Sequence, residues 1–209
     1  SNGRKMLEPI RDIKGSVDFD IRLKNGEAKG QVKVNEVDFK VVPLLDMPVK
    51  ITKGIIDIRA KEINLKNYEG YYNNKKSNTL SMHGEIKDYQ KTCDTKIESD
   101  IYITDDFFKN YLSRMLNSSV GLVGDAKSKL IIKSKNSSFD LLWFFLLEEN
   151  EGFKFGEQSM VLKDYKTLFK VDLSVIKNIL KMNTINYYIT NELKRGIKPI
   201  LTLNGNIDM

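Results

Sequence analysis

The chain has 209 residues, a net charge of +6 and a pI of about 9.1. Hydrophobic content of 41%, with 10% aromatics, provides for a packed core and excludes a disordered tail. Lys alternates with Asp and Glu along most of the sequence, which reads as the solvated faces of strands instead of a nucleic-acid surface. The single cysteine, Cys93, excludes an internal disulfide and leaves the redox compartment open.

Period-two alternation dominates the first half. In GSVDFDIRLKNG, Val17, Phe19, Ile21 and Leu23 share one face, and Asn25-Gly26 gives a tight-turn signal. The next strand carries Val32 and Val34, then Val37, Phe39 and Val41, so its phase slips near Asn35-Glu36 and predicts a bulge or turn. PLLDMP reads as a connection. In GIIDIRAKEINLKNYEGYY, Ile56, Ile58 and Ala60 are out of phase with Ile63 and Leu65, which predicts two strands joined near Lys61-Glu62. A polar loop, YNNKKSN, leads to LSMHGEIKD and TKIESDIYI, both strand-like.

From residue 104 the pattern changes. DDFFKNYLSRML has helical spacing, with Thr104 or Asp105 as candidate caps. GDAKSKLIIKS returns to a strand. DLLWFFLLEE is read as a short buried helix, and LSVIKNILKM and TINYYITNELKRG as two more, the last stopped at Lys194-Arg195-Gly196. The longest apolar run, Leu141 to Leu147, falls far short of the roughly 20 residues that a membrane helix needs. SNGRKM has no apolar signal-peptide core, and Ser1-Asn2 reads as a cloning remnant with further chain expected upstream. The closing LTLNGNIDM still alternates at its last residue, as expected of a fragment cut from a longer array.

Glycine recurs at inward-facing slots of these strands. Gly84 and Gly205 sit in LSMHGEIKD and LTLNGNID with alternation on both sides, which predicts strand bends that curve a sheet. Gly15, Gly30 and Gly54 read equally well as residues that start strands after turns.

The run GIIDIRAKEINLKNYEGYYNNKKSNTLSMHGEIKDY resembles the AsmA-like superfamily of Gram-negative envelope proteins. Its elements are Gly54-Ile55-Ile56, then Ile63 to Gly70, then Leu80 to Ile86, and the likeness extends over roughly residues 15 to 103. The resemblance implies a periplasmic body, an inner-membrane anchor outside this sequence, and an elongated β-groove that carries phospholipid acyl chains between membranes or serves outer-membrane assembly. Envelope proteins are its implied partners.

Catalytic chemistry is hard to assemble. His83, the only histidine, lies on the polar phase of its strand, with no cysteine or carboxylate cluster at metal spacing and no nucleophile turn. GLVGDAKS lacks the spacing of a phosphate loop. Asp105-Asp106 and Glu148-Glu149-Glu151 read as helix-end charges.

The expected fold is therefore α+β and mainly antiparallel β: a strongly curved, groove-like sheet with several helices in the second half. It is expected to form one domain over 1–209, with a β-rich part at 15–103, a helix-containing insert at 104–196 and a returning strand at 197–209. The expected function is non-enzymatic, with no cofactor, no metal, no nucleic acid and no transmembrane segment in this sequence. The candidate acyl-chain lining is Val17, Phe19, Ile21, Val32, Val34, Ile56, Ile58, Leu80, Met82 and Ile86, taken from the glycine-bearing strands. The alternative is a structural or protein-interaction module whose apolar faces are simply filled by core.

Overall fold

The computed structural model describes residues 10–41, 45–89, 91–115, 119–135, 138–176, 179–189, 199 and 201–203. The chain divides into two compact units, Ser1–Thr92 and Cys93–Met209. Both are mostly antiparallel β, as the alternation and short turns predict.

The first unit is a meander of five strands: β1 (Ile10–Lys24), β2 (Glu27–Val41), β3 (Met47–Arg59), β4 (Glu62–Tyr72) and β5 (Thr79–Lys87). Each pairs with the next, and β1 lies at the end of the order. The β1–β2 turn is made by Asn25 and Gly26, both with positive φ (53° and 77°), as a two-residue hairpin of the right twist requires. The break between β3 and β4 falls at Ala60-Lys61, where the phase of the apolar residues changes.

Phase slips recur at one level of this sheet. The β1–β2 register shifts between Ser16 and Val17, where Asn35 is the extra residue. The β3–β4 register shifts on both sides of Lys53, and the β4–β5 register shifts between Leu65 and Tyr68. An extra residue in one strand breaks the ladder locally and needs other partners. Asn35 Nδ2 donates to Asp18 Oδ2 at 2.9 Å, and Thr52 Oγ1 donates to the Glu69 carbonyl at 3.0 Å.

Gly15 and Gly30 lie inside β1 and β2 and are not strand starters. Their φ values of 151° and 153° are open only to glycine, and a Cβ would come within 2.1 Å and 1.9 Å of the Glu36 and Asp20 carbonyl oxygens. Gly84 lies inside β5 opposite Leu65, beside the β4 register shift, yet takes no positive φ. The irregularity there belongs to β4, which is why Gly84 does not curve the sheet; no strongly curved sheet is present. Gly205 lies outside the described residues.

In the second unit, β6 (Asp94–Ile103), β8 (Ala126–Lys135), β9 (Ser138–Leu147), β12 (Thr167–Ile176), β13 (Ile179–Ile189) and β14 (Leu201–Leu203) form a sheet in that order. A smaller sheet has the order β11-β10-β7, from Gln158–Val161, Gly152–Phe155 and Val120–Val123. One helical segment, α1, runs through Asp105–Phe107, a π-turn at Phe108–Leu112, and Ser113–Met115. Thr104 is its extended N-cap residue but makes no side-chain cap, and the Asp105 carboxylate turns away to accept from the Leu122 N–H at 3.0 Å.

The other expected helices are strands. LLWFFLL is apolar throughout, so its periodicity cannot separate helix from strand. Paired with β8 on one edge and β12 on the other, it sends Trp143, Phe145 and Leu147 to one face and Leu142, Phe144 and Leu146 to the other. Leu173–Ile176 lie in β12 and Ile179–Leu180 in β13, which pair antiparallel. Ile185, Tyr187 and Ile189 alternate along β13, and the remainder of that expected helix, with its stop at Lys194-Arg195-Gly196, lies outside the described residues.

Aromatic contacts fill the face that α1 covers. Phe107 meets Trp143 edge-on at 6.4 Å, Phe108 meets Phe153 at 5.7 Å, and Phe153 meets Phe169 at 4.3 Å, the T-shaped geometry that aromatic quadrupoles favour. On the opposite face Glu98 accepts from Lys129 and Lys96, both at 2.8 Å, and its side chain is only 18% exposed.

Two predictions follow from this packing. Gly30→Val should destabilise the fold by about 1–3 kcal/mol, since valine cannot adopt that backbone beside the Asp20 carbonyl; chemical denaturation measures it. The second concerns acid. Hydrogen bonds from Lys129 and Lys96 hold the Glu98 carboxyl at about 2, below its ordinary 4.5, so its contribution is full above pH 4.5 and lost as pH falls to about 2. The parent should exceed Glu98→Gln in stability by about 1 kcal/mol at neutral pH, with the gap closing across that acid window.

Candidate functional site

Residues directly opposite one another in adjacent strands share a face of the sheet. Rows can therefore be followed across the first unit. One runs Ile21, Gly30, Ile58, Ile63, Ile86, and the next runs Phe19, Val32, Ile56, Leu65, Gly84. A third joins Val17, Val34 and Gly54, and the ring of Tyr68, which is opposite Met82, lies over Gly54. A Cβ on Gly54 would come within 2.8 Å of that ring, so the glycine is the seat of the tyrosine. Below it come Gly15, Val37, Ile51, Gly70 and Leu80. All ten predicted lining residues thus fall on one apolar face.

Exposure along that face is uneven. At one end Met47, Val49, Ile51 and Tyr72 are buried. Burial pushes the Tyr68 phenol up to about 12. Of the predicted residues, Val34 is buried, while Val32, Ile56, Ile58, Leu80, Met82 and Ile86 are half-buried. Val17, Phe19 and Ile21 are exposed, with Phe19 at 74%. Two further exposed members were not among those predicted: Ile13, and Leu23 at 79%. Leu23 was visible as the last member of the β1 alternation, whereas Tyr68 was hidden by the phase slip between Leu65 and Tyr68.

The opposite face is charged. Asp57 is buried there between Lys66 and Arg59, each at 3.0 Å, and the Lys66 ammonium above all holds its carboxyl below the usual range. His83 is exposed on this face of β5. Cys93 is a half-buried free thiol, and no group of His, Cys, Asp and Glu suited to a metal ion occurs among the described residues. No helix among the described residues is long and apolar enough to cross a membrane. GLVGDAKS crosses from β7 to β8 with Gly124 at the bend, so it opens no helix N-terminus.

Compared with known proteins, the chain matches no family model, no curated protein and no solved structure.

With Tyr68 seated on Gly54, Gly54→Val must displace the ring, and an expected loss of about 1–3 kcal/mol should appear in thermal or chemical unfolding. Tyr68→Ala should lower the penalty for valine at position 54, because the clash then disappears.

Proposed function

We propose that the chain is a non-enzymatic segment of a cell-envelope protein that holds phospholipid acyl chains along the apolar face of β1 to β5. The observation that carries this reading is the continuous apolar face whose β1 side, Val17, Phe19 and Ile21, stays exposed while the charged residues collect on the other face. Isolated exposed apolar residues are ordinary; a contiguous exposed apolar stretch marks a place for a partner or ligand. An acyl chain laid on such a row gains roughly 0.8 kcal/mol for each CH₂ buried, with no covalent chemistry.

The sequence resemblance to AsmA-like envelope proteins supports the choice of phospholipid as ligand. It also supports a periplasmic setting, an inner-membrane anchor, and a part in carrying lipid toward the outer membrane or in its homeostasis. The competing reading, an envelope interaction module with no lipid path, draws on Met47, Val49, Ile51 and Tyr72, where the same face is ordinary core.

The two readings separate in a paired measurement on Phe19→Asp and Ile51→Asp, using a phospholipid with a photoactivatable acyl chain. Phe19→Asp should shift stability by no more than about 0.5 kcal/mol, as at other exposed sites, and should abolish most lipid crosslinking. Ile51→Asp buries an unpaired charge and should cost about 3–5 kcal/mol. A parent protein that captures no lipid would leave only the interaction module.

A further inference from the structure

The row Ile21, Gly30, Ile58, Ile63 and Ile86 lies just inside one end of the first unit's sheet, where the Asn25-Gly26 and Ala60-Lys61 turns sit. Apolar and basic side chains meet at that end. Leu23 is 79% exposed and Ile21 40%, although both belong to the apolar face. Leu23 lies about 44 Å along β1 from Ile10, beyond the roughly 32 Å that residues 1–9 span when fully extended. Its exposure is therefore independent of that segment.

The charged face of the same end is basic. The β1–β2 hairpin contributes Arg22, Lys24 and Lys29 against Glu27. The β3–β4 turn adds Lys61 against Glu62, and Arg59, which is held by Asp57 at 3.0 Å. With that pair set aside, four cations face two carboxylates. Arg22 lies directly opposite Lys29, a like-charge pair that costs stability and that an anion placed between them relieves. Arg22, Lys24 and Lys61 form no ion pair among the described residues, and Glu27 is 3.8 Å from Lys29. The next row inward reverses sign, with Asp20 opposite the neutral Gln31 and Asp57 beyond it. Positive charge is thus confined to the tip, which favours an anionic surface met end-on.

A lone exposed leucine is ordinary. Set among unpaired cations at a hairpin tip, it supplies one of the two signals of peripheral membrane binding: apolar side chains for the headgroup boundary, and cations for the phosphates. An acidic protein or a nucleic acid would use the cations and leave Leu23 and Ile21 in water. We propose that the β1–β2 hairpin tip docks end-on against a bilayer that carries anionic phospholipid. Leu23 and Ile21 enter the boundary between headgroups and acyl chains, while Arg22, Lys24, Lys29 and Lys61 meet the phosphates. For its role this docking rests on the lipid-holding reading above: lipid enters the face of β1 to β5 from the end where its exposed stripe begins.

Co-sedimentation with vesicles tests the docking. The full chain should bind vesicles of mixed phosphatidylcholine and phosphatidylglycerol, and should not bind phosphatidylcholine alone. Arg22→Gln combined with Lys29→Gln should weaken binding about thirtyfold, since each cation near an anionic surface contributes roughly fivefold. Both residues are exposed and their replacement removes a like-charge pair, so the fold is kept. Leu23→Asp should weaken binding about tenfold. Lys154→Gln combined with Lys163→Gln, an equal loss of charge at exposed sites of the second unit, should change it by no more than about twofold. No binding to either vesicle, equal binding to both, or equal losses from the two double variants would overturn the docking. So would capture of polyglutamate with vesicles ignored, the mark of an acidic protein partner. Failure of the docking is separable from failure of the acyl-chain reading. Detergent-dispersed phospholipid with a photoactivatable acyl chain should still crosslink to the Arg22→Gln, Lys29→Gln variant. Vesicle binding by a parent that never crosslinks would support the docking and remove the acyl-chain reading.

Discussion

Everything in the first unit depends on the alignment of phase slips in three neighbouring strands. A β-strand sends alternate side chains to opposite faces, so one extra residue moves every later side chain across the sheet. In β2 the apolar spacing between Val34 and Val37 is three; in β3 the same spacing separates Ile51 and Gly54, and in β4, Leu65 and Tyr68. Because these slips occur at one level, the rows on either side keep the same face.

That constraint explains the distribution of glycine more economically than curvature does. Gly15 and Gly30 allow backbone conformations closed to other residues, and Gly54 provides room for the Tyr68 ring. In the second unit the solution is different. There aromatic rings from α1 and from β10 pack over the apolar face, burying Phe145 and half-burying Trp143 and Phe169. The two units use one strand chemistry for a face covered by aromatic rings and for a face left partly open.

Much of the first unit was legible because alternation with Asn-Gly and loop signals is a local property. The slip at Asn35 could be read directly, and all ten predicted lining residues share the face that alternation assigned them. The second half misled for a physical reason. A run such as LLWFFLL carries no period, and Leu173, Ile176, Ile179 and Leu180 match helical spacing as well as they match the two arms of a hairpin. Only pairing with β8, β12 and β13, which the run's own period does not show, decides between them. Exposure was not legible at all: Ile51 and Phe19 have the same pattern, yet one is 5% exposed and the other 74%.

The central claim is that the apolar face of β1 to β5 receives acyl chains while that of the second unit does not. Methyl-resolved NMR with a phospholipid spin-labelled deep in its acyl chain tests it most directly. The account predicts strong paramagnetic broadening of Val17, Ile21, Val32 and Ile56, with Ile103 and Leu147, both 0% exposed, left sharp. Equal broadening of both sets, or none in the first, would contradict it.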